Sequence, residues 1–161
     1  MKLKINDQIP DTEIYQLVNG EPQKNKLIDI LGKDKIILFG LPGAFTSTCS
    51  KLHLPGFVEN AENIKAKGIK NIFCLSVNDP YVMNAWGEVN NIGNKIKMLS
   101  DPYLSFTRAI GAEVDRNSKG MGTRSNRYAM VIENLEVINI QVEKETKQCG
   151  LSSAEGILDL L

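Results

Sequence analysis

The chain contains few of the residues on which several common protein classes depend. Among its 161 residues are three cysteines, one histidine and one tryptophan, and aromatic residues make up 6%. Three cysteines cannot all pair, which argues against a framework of structural disulfides. One histidine, with no cysteines at paired spacing, supplies too few ligands for a structural zinc site. We therefore expect neither a disulfide-stapled protein nor a bound metal.

Charge and hydrophobicity argue against further classes. Lysine plus arginine and aspartate plus glutamate each total 19, so the net charge is zero and gives no electrostatic reason to expect a nucleic acid or an acidic membrane as partner. The chain has no apolar run of about 18 residues, the length that suggests a membrane span. Residues 1–10 contain charges and a proline where a secretory signal would be apolar. We expect a cytoplasmic protein.

The apolar pattern predicts a single α/β domain over residues 1–161. Buried strands are predicted at 35–40 and 69–77, and a helix over 47–67, kinked at Pro55, joins them. Strand–helix–strand of this kind is typical of a parallel βαβ unit. The other predicted elements are strands at 12–18 and 96–99, helices at 79–91, 102–110 and 152–161, and a hairpin of 127–132 with 136–142. This order is that of a thioredoxin-like domain, with a central mixed sheet flanked by helices.

The most informative segment is Leu41–Ser50, which joins a predicted strand to a predicted helix. Its Pro42-Gly43 turn brings Cys49 to the start of the helix, where free backbone N–H groups and the helix dipole favour an anion. A cysteine there should lose its proton more readily, and the thiolate is the nucleophile. A free cysteine is more often a small buried hydrophobe. The hydroxyl groups surrounding Cys49 favour a polar, reactive site instead.

The longer string Pro42–Phe57, PGAFTSTCSKLHLPGF, resembles the active-site segment of peroxiredoxins of the type-five, or plant type-two, subfamily. Three later segments fit the same subfamily in the same order: Cys74–Asp79, Trp86-Gly87 and Arg124–Ala129. The family often has Pro-Gly between its threonine and cysteine, where this chain has Ser47-Thr48. The spacing of the threonine to the cysteine is kept.

This resemblance implies a thiol peroxidase that reduces hydrogen peroxide and organic hydroperoxides without metal, flavin or haem. By position, Cys49 is the peroxidatic cysteine and Pro42, Thr46 and Arg127 are its companions. Arg127 would stabilise the charge that moves to the leaving oxygen, Thr46 would orient the peroxide by donating and accepting hydrogen bonds, and Pro42 would wall off the site. Taken singly, an arginine is more often a surface charge, a threonine before a helix more often a cap, and a proline before glycine more often part of a turn.

His53 follows Cys49 by one helical turn and lies on the same helix face. Such a pair would suit a cysteine hydrolase or contribute two zinc ligands, although no further ligands stand at a suitable spacing. The resemblance instead makes His53 a supporting residue of the site. Arg124 is expected to be a surface charge, yet it precedes Arg127 closely enough to reach the site or a dimer interface.

The resemblance leaves three sources for the thiol that reduces the sulfenic acid formed at Cys49. We rank an external thiol first, either glutathione with glutaredoxin or thioredoxin. Cys149, in a polar loop, comes second. Cys74 comes last, because a central strand would bury it.

The resemblance also implies a homodimer. Phe45 and Trp86 are candidate interface aromatics, although core packing is the more common place for such rings. Two other functions remain open. A thiol–disulfide exchange protein of the same fold is disfavoured by the absence of a C-x-x-C pair. A redox sensor or chaperone-like domain that retains only the fold is the other alternative.

Overall fold

The structure, a computed structural model, describes residues 1–161. The strands are β1 (Glu13–Val18), β2 (Glu21–Lys26), β3 (Ile36–Gly40), β4 (Asn71–Ser76), β5 (Lys97–Ser100), β6 (Glu113–Asp115), β7 (Thr123–Ser125), β8 (Tyr128–Glu133) and β9 (Glu136–Val142). The α-helices are α1 (Leu27–Leu31), α2 (Leu54–Ala66), α3 (Pro80–Val89), α4 (Ser105–Ala109) and α5 (Ala154–Leu158), with a π-helical turn at Cys49–His53 and a 3-10 turn at Asn117–Lys119. None of the helices has the length and apolar character needed to cross a membrane.

Seven strands form one mixed sheet in the order β2-β1-β5-β4-β3-β8-β9, and β6 pairs with β7 in a separate hairpin. Strands β3, β4 and β5 are parallel neighbours, whereas β8 joins β3 and β1 joins β5 in antiparallel fashion. The parallel β3–α2–β4 unit and the mixed sheet flanked by helices are those that the sequence predicts.

The core occupies both faces of the sheet, because every residue of β3 is buried and its side chains alternate between the faces. On one face Phe39 stacks on Phe57 of α2, with ring centroids 4.1 Å apart. The same apolar cluster includes Cys49, Trp86 and residues of α5. The predicted reactive cysteine therefore lies on the α2 face of the sheet.

Two helix starts follow the capping rules closely. The Asp79 side chain accepts the Val82 N–H at 3.0 Å, and Pro80 occupies the first turn of α3, where no intrahelical donor is needed. Ser153 caps α5 by accepting the Gly156 N–H at 3.1 Å.

The helix predicted over 47–67 is not a single α-helix. In the π-helical turn Cys49–His53, the Leu54 N–H donates to the Cys49 carbonyl, five residues earlier. Pro55 follows in the first turn of α2, where its missing N–H leaves no hydrogen bond unmade. The irregularity expected at Pro55 is therefore taken up by the turn immediately before it. Such single π-helical turns are frequent at functional sites.

Candidate active site

The loop between β3 and the π-helical turn is tied to the connection between β4 and α3. The Ala44 N–H donates to Asn78 Oδ1 at 2.9 Å, and Ser76 Oγ donates to the same oxygen at 2.7 Å. Phe45, which follows Ala44, has a φ of 60°, in the left-handed region, and the chain reverses direction there. Its ring is 57% exposed. The expectation that Phe45 packs in the core is therefore wrong, since the turn directs the ring outward.

Trp86 behaves in the opposite way. It is fully buried on α3, so the expectation of core packing is correct for this ring. Its indole N–H donates to Ser50 Oγ at 3.0 Å, which satisfies the one polar atom of the ring. Ser50 directly follows Cys49, so the only tryptophan of the chain is tied to the side chain of the residue next to the cysteine.

Cys49 begins the π-helical turn, and its side chain is fully buried. The sulfur accepts a hydrogen bond from Arg127 Nη2 at 3.2 Å. Around this contact the cysteine belongs to the apolar cluster of the α2 face. The immediate polar environment of the sulfur is therefore a guanidinium cation.

Arg127 precedes β8 and is only 1% exposed. Its Nε and Nη2 donate to the Thr146 carbonyl at 3.1 and 2.9 Å, and its Nη1 donates to His53 Nδ1 at 2.9 Å. No carboxylate forms an ion pair with this guanidinium. Glu143 attracts this buried cation without forming an ion pair with it. Among the atoms in direct contact with the guanidinium, the Cys49 sulfur is the one that a thiolate would make negative.

The hydrogen bonds of His53 define its protonation state. Nε2 lies 2.9 Å from the Ser152 carbonyl, which can only accept, so Nε2 carries the proton and Nδ1 is free to accept from Arg127. Burial, with the nearby Arg127 cation, lowers the pKa of His53 to about 3, so the ring is neutral. Both ring nitrogens are engaged away from Cys49. The cysteine-hydrolase and zinc-ligand interpretations of this pair therefore find no support in the geometry.

A cavity of about 150 Å³ opens beside Arg127, and Pro42 and Thr46 also line it. Thr46 Oγ1 donates its proton to the Gly43 carbonyl at 2.7 Å, so its lone pairs remain available to a ligand. Cys49 is too deeply buried to line the cavity itself. A small molecule in this cavity would meet the guanidinium and the threonine oxygen.

The sequence led us to expect Arg124 to be a solvated surface charge, but in the structure it is half-buried. Its Nε donates to the Met121 carbonyl at 2.8 Å and its Nη1 to the Pro42 carbonyl at 3.4 Å. A Cβ added to Gly43 would lie 3.0 Å from Nη1, so the glycine permits this close approach. Arg124 thus braces the turn that forms one wall of the cavity.

Comparisons with known proteins give the same result along the whole chain. Residues 4–158 match the Redoxin family. Peroxiredoxin-2D of Arabidopsis thaliana is 42% identical over 160 residues, which cover 99% of this chain and 98% of that protein. The chain belongs to the peroxiredoxins.

Solved structures agree with this assignment. Reduced Prx3 of Vibrio vulnificus, in complex with hydrogen peroxide, superposes with a TM-score of 0.92 at 40% identity and 98% coverage of both chains. Peroxiredoxin 5 of Alvinella pompejana superposes with a TM-score of 0.85 at 33% identity, covering 97% of this chain and 96% of that one. The thioredoxin-like fold and the thiol-dependent peroxidase activity predicted from the sequence are thereby confirmed.

The other two thiols of this peroxiredoxin are also free. Cys74 is fully buried on β4, opposite Phe39 of β3, and burial, together with nearby Cys49, raises the pKa of its thiol well above the ordinary value. Cys149 is half-buried, and chiefly burial raises the pKa of its thiol to about 11. Both thiols are therefore protonated near neutral pH, which makes them weak nucleophiles in this conformation.

Sequence reasoning missed the acidic residue that organises the segment between β9 and α5 of this peroxiredoxin. Glu143 Oε1 accepts from the Gly150 N–H at 2.7 Å, the Ser152 N–H at 2.9 Å and Ser152 Oγ at 3.0 Å. Burial opposes ionisation of Glu143, but these hydrogen bonds outweigh it and lower the pKa of the carboxyl. The segment in turn supplies the Thr146 and Ser152 carbonyls to the site. The available signal was an acidic residue directly after an apolar strand.

Proposed function

We propose that Cys49 is the peroxidatic cysteine of this thiol peroxidase. The observation that carries the assignment is the buried Arg127 guanidinium, which has no carboxylate partner and donates to Cys49 Sγ at 3.2 Å. A cation removed from water favours an anion beside it, and a thiolate is the form of cysteine that attacks peroxides. The companion residues are Arg127, Thr46 and Pro42, which line the adjoining cavity.

In the proposed reaction the thiolate attacks one peroxide oxygen. A sulfur–oxygen bond forms, the oxygen–oxygen bond breaks, and the leaving oxygen takes a proton to become water or an alcohol. Arg127 stabilises the charge that shifts toward the peroxide oxygens. Because the Thr46 proton is already held by the Gly43 carbonyl, Thr46 orients the peroxide by accepting its O–H. Pro42 adds no N–H donor and limits the entry of water.

His53 supports this reaction through Arg127. A neutral ring with its proton on Nε2 accepts from Nη1 and holds the guanidinium plane without adding a second buried positive charge. Thr146 holds the other edge of the guanidinium through its carbonyl. The fork geometry of arginine suits these fixed acceptors.

An external thiol is the proposed reductant, either glutathione with glutaredoxin or thioredoxin. The raised pKa values of Cys149 and Cys74 support this ranking, because a protonated thiol reacts poorly with a sulfenic acid. Cys149 ranks above Cys74, since it is only half-buried in a loop whereas Cys74 lies inside the sheet.

One experiment tests the assignment of the cysteines. Reduced protein receives one equivalent of hydrogen peroxide, and intact and peptide masses are measured for wild type, Cys49→Ser, and the matched controls Cys74→Ser and Cys149→Ser. One oxygen added to Cys49, and absent only in Cys49→Ser, is expected. Loss of two hydrogens, with a disulfide-linked Cys49–Cys149 or Cys49–Cys74 peptide, would show that the sulfenic acid is reduced by that internal cysteine and not by an external thiol. No rapid change at Cys49 would contradict the assignment.

We also propose a homodimer formed through the exposed rings of Phe45 and Tyr81. The hydrogen bond from the Ala44 N–H to Asn78 ties the Phe45 turn to the start of the helix that carries Tyr81, and both side chains are exposed. Sedimentation should show a dimer that Phe45→Glu dissociates. Ile138→Glu, at an exposed apolar residue on β9, is the matched control. A wild-type monomer would contradict this proposal.

A single domain over residues 1–161 and a cytoplasmic location complete the proposed description. The C-terminal helix α5 packs on α2 and β8, so the last helix joins the same core as the sheet. Three free thiols suit a reducing compartment. Relatives from rice and Arabidopsis thaliana are named chloroplastic, so fractionation of cells that express the untagged chain is the relevant test.

A further inference from the structure

The β6–β7 hairpin has no part in the site described above, yet it forms one wall of a groove that leads to it. The inner cavity of about 150 Å³ contains Arg127, and a second cavity of about 360 Å³ lies outside it. The two share Arg116, Lys119, Thr146 and Lys147 as lining residues, so they adjoin. The residues between β6 and β7 thus define the approach to Cys49.

Positive charge is concentrated along this groove. No acidic residue lines the inner cavity. Of the two acids lining the outer cavity, Asp115 accepts a backbone N–H at 2.7 Å and Glu145 pairs with Lys147 at 2.9 Å. Arg116 and Lys119 form no ion pair with any carboxylate. In a chain with no net charge, these two cations stand uncompensated at the entrance to the site.

Most side chains that line the two cavities end in polar groups. Apart from Pro42, Met121 and Val114, the lining residues carry hydroxyl, amide or charged groups at the ends of their side chains. A compact molecule that carries carboxylates would find cations at the entrance and the reactive sulfur beyond them.

We propose that this groove binds a small anionic thiol, a carboxylate-bearing compound of the glutathione class, and directs its sulfur to the oxidised Cys49. The inference rests on the proposed role of Cys49 and adds a recognition site for the reductant. Arg116 and Lys119 hold the carboxylates at the entrance. The thiol sulfur then attacks the sulfenic sulfur. A disulfide bond forms, the sulfur–oxygen bond breaks, and the hydroxyl leaves as water with the thiol proton.

A second thiol completes the cycle. It attacks the mixed disulfide and forms a small-molecule disulfide, and Cys49 returns to its thiolate as one proton is released. Each of the two thiols gives up one electron, so together they supply the two electrons that reduce the sulfenic acid. Peroxide reduction itself needs no carboxylate, so the groove affects the second half of the cycle and leaves the reaction with hydrogen peroxide unchanged.

The test compares Arg116→Gln/Lys119→Gln with a matched control, Lys67→Gln/Lys70→Gln, which removes the same charge from exposed residues elsewhere. All proteins carry Cys149→Ser, so that no internal disulfide competes. After oxidation by one equivalent of hydrogen peroxide, the sulfenic acid is reduced with 3-mercaptopropionate, 2-mercaptoethanol or cysteamine, which carry negative, no and positive charge. Dividing each rate by the wild-type rate for the same thiol removes the intrinsic reactivity of that thiol.

We expect the groove variant to react about 3- to 10-fold more slowly with the anionic thiol, the size expected for two exposed ion pairs. The neutral thiol should react as in wild type and the cationic thiol faster. The wild-type preference for the anionic thiol, and for glutathione, should fall as salt is added, because exposed charges are screened. The Lys67→Gln/Lys70→Gln control should react like wild type with all three thiols.

Three results would overturn the inference. In the first, the groove variant reacts with the anionic thiol as fast as the control does. In the second, its reaction rate falls by the same factor with all three thiols, which indicates a structural effect. In the third, the variant is oxidised more slowly than wild type by a carboxylate-bearing hydroperoxide but is reduced by the anionic thiol at the wild-type rate. That result would place the oxidising substrate in the groove. Failure of hydrogen peroxide to oxidise Cys49 in wild type would instead contradict the proposed function, and it is measured in a separate first step.

Discussion

Replacing Glu143 with glutamine tests how the segment between β9 and α5 holds the site. Glutamine keeps an oxygen where Glu143 accepts from Gly150 and Ser152, but it removes the negative charge. The shape of the side chain is nearly unchanged. Any loss of stability therefore reports the negative charge of Glu143, through these hydrogen bonds and through its attraction to Arg127, rather than lost packing.

The magnitude follows from the number and type of hydrogen bonds. A bond to a charged group contributes about 1.5–3 kcal/mol to stability and a neutral one about 0.5–1.5 kcal/mol. Three bonds share one carboxylate oxygen of Glu143 and are not additive. We therefore expect Glu143→Gln to lower the free energy of unfolding by about 1–3 kcal/mol.

Acid provides an internal check on this prediction. The hydrogen bonds lower the pKa of Glu143 in the folded protein, so the unfolded chain takes up its proton first as pH falls. The stabilisation by Glu143 is then complete above the ordinary carboxyl pKa and is lost as pH falls through the folded value. The difference between wild type and Glu143→Gln should shrink over that acidic range.

Urea unfolding followed by circular dichroism, at neutral and at acidic pH, measures both effects. Glu133→Gln is the control, because Glu133 is exposed and forms no ion pair. Glu143→Ala should lose more stability and most peroxidase activity, since the N–H groups of Gly150 and Ser152 then lack an acceptor. Equal stability of Glu143→Gln and wild type at neutral pH would refute the reasoning, as would a difference that persists unchanged in acid.

Three further predictions follow from the geometry. Arg127→Lys should slow oxidation of Cys49 by about 100-fold in rapid-quench assays, because an ammonium cannot match the guanidinium contacts; a rate within a few-fold of wild type would contradict this. The folded pKa of His53 is about 3, so the ring must take up a proton on unfolding in mild acid. Urea titrations should therefore show the free energy of unfolding of wild type falling by about 2 kcal/mol between about pH 7.5 and pH 5, a fall that His53→Gln lacks. Gly40→Ala should lower the melting temperature strongly or prevent folding, because the new Cβ would overlap the Tyr128 ring, and a melting temperature equal to that of wild type would refute the clash.

Hydrophobic pattern was sufficient to predict the elements that place Cys49. The apolar residues of β3 and β4 are continuous because both faces of these strands are covered, and the intervening helix repeats its apolar residues at helical spacing. Asp79-Pro80 and Ser153 mark helix starts by a mechanism that acts within a few residues. Local signals of this kind can be read from a single sequence.

The remainder depends on contacts that residue type does not encode. Thr146 and Ser152 act through backbone carbonyls, which every residue has. The π-helical turn differs from an α-helix by one hydrogen-bond register, and no side-chain preference marks that choice. The outward direction of Phe45 depends on a single positive φ. These features arise from tertiary packing, so the sequence indicates the side chains that meet at the site more readily than the backbone groups that hold them.

The unpaired charge of Arg127 has a consequence for the oxidised protein. When Cys49 is a thiolate, the guanidinium and sulfur together are neutral; when Cys49 becomes a protonated sulfenic acid, the guanidinium keeps only uncharged acceptors. The remaining negative charge near it is Glu143, which forms no ion pair with Arg127, and burying a poorly balanced charge costs up to several kcal/mol. If Cys49 has its proposed role, reaction with peroxide therefore weakens the closed site around it. Local opening becomes easier at the moment when the sulfur must meet its reductant, and reduction restores the closed form.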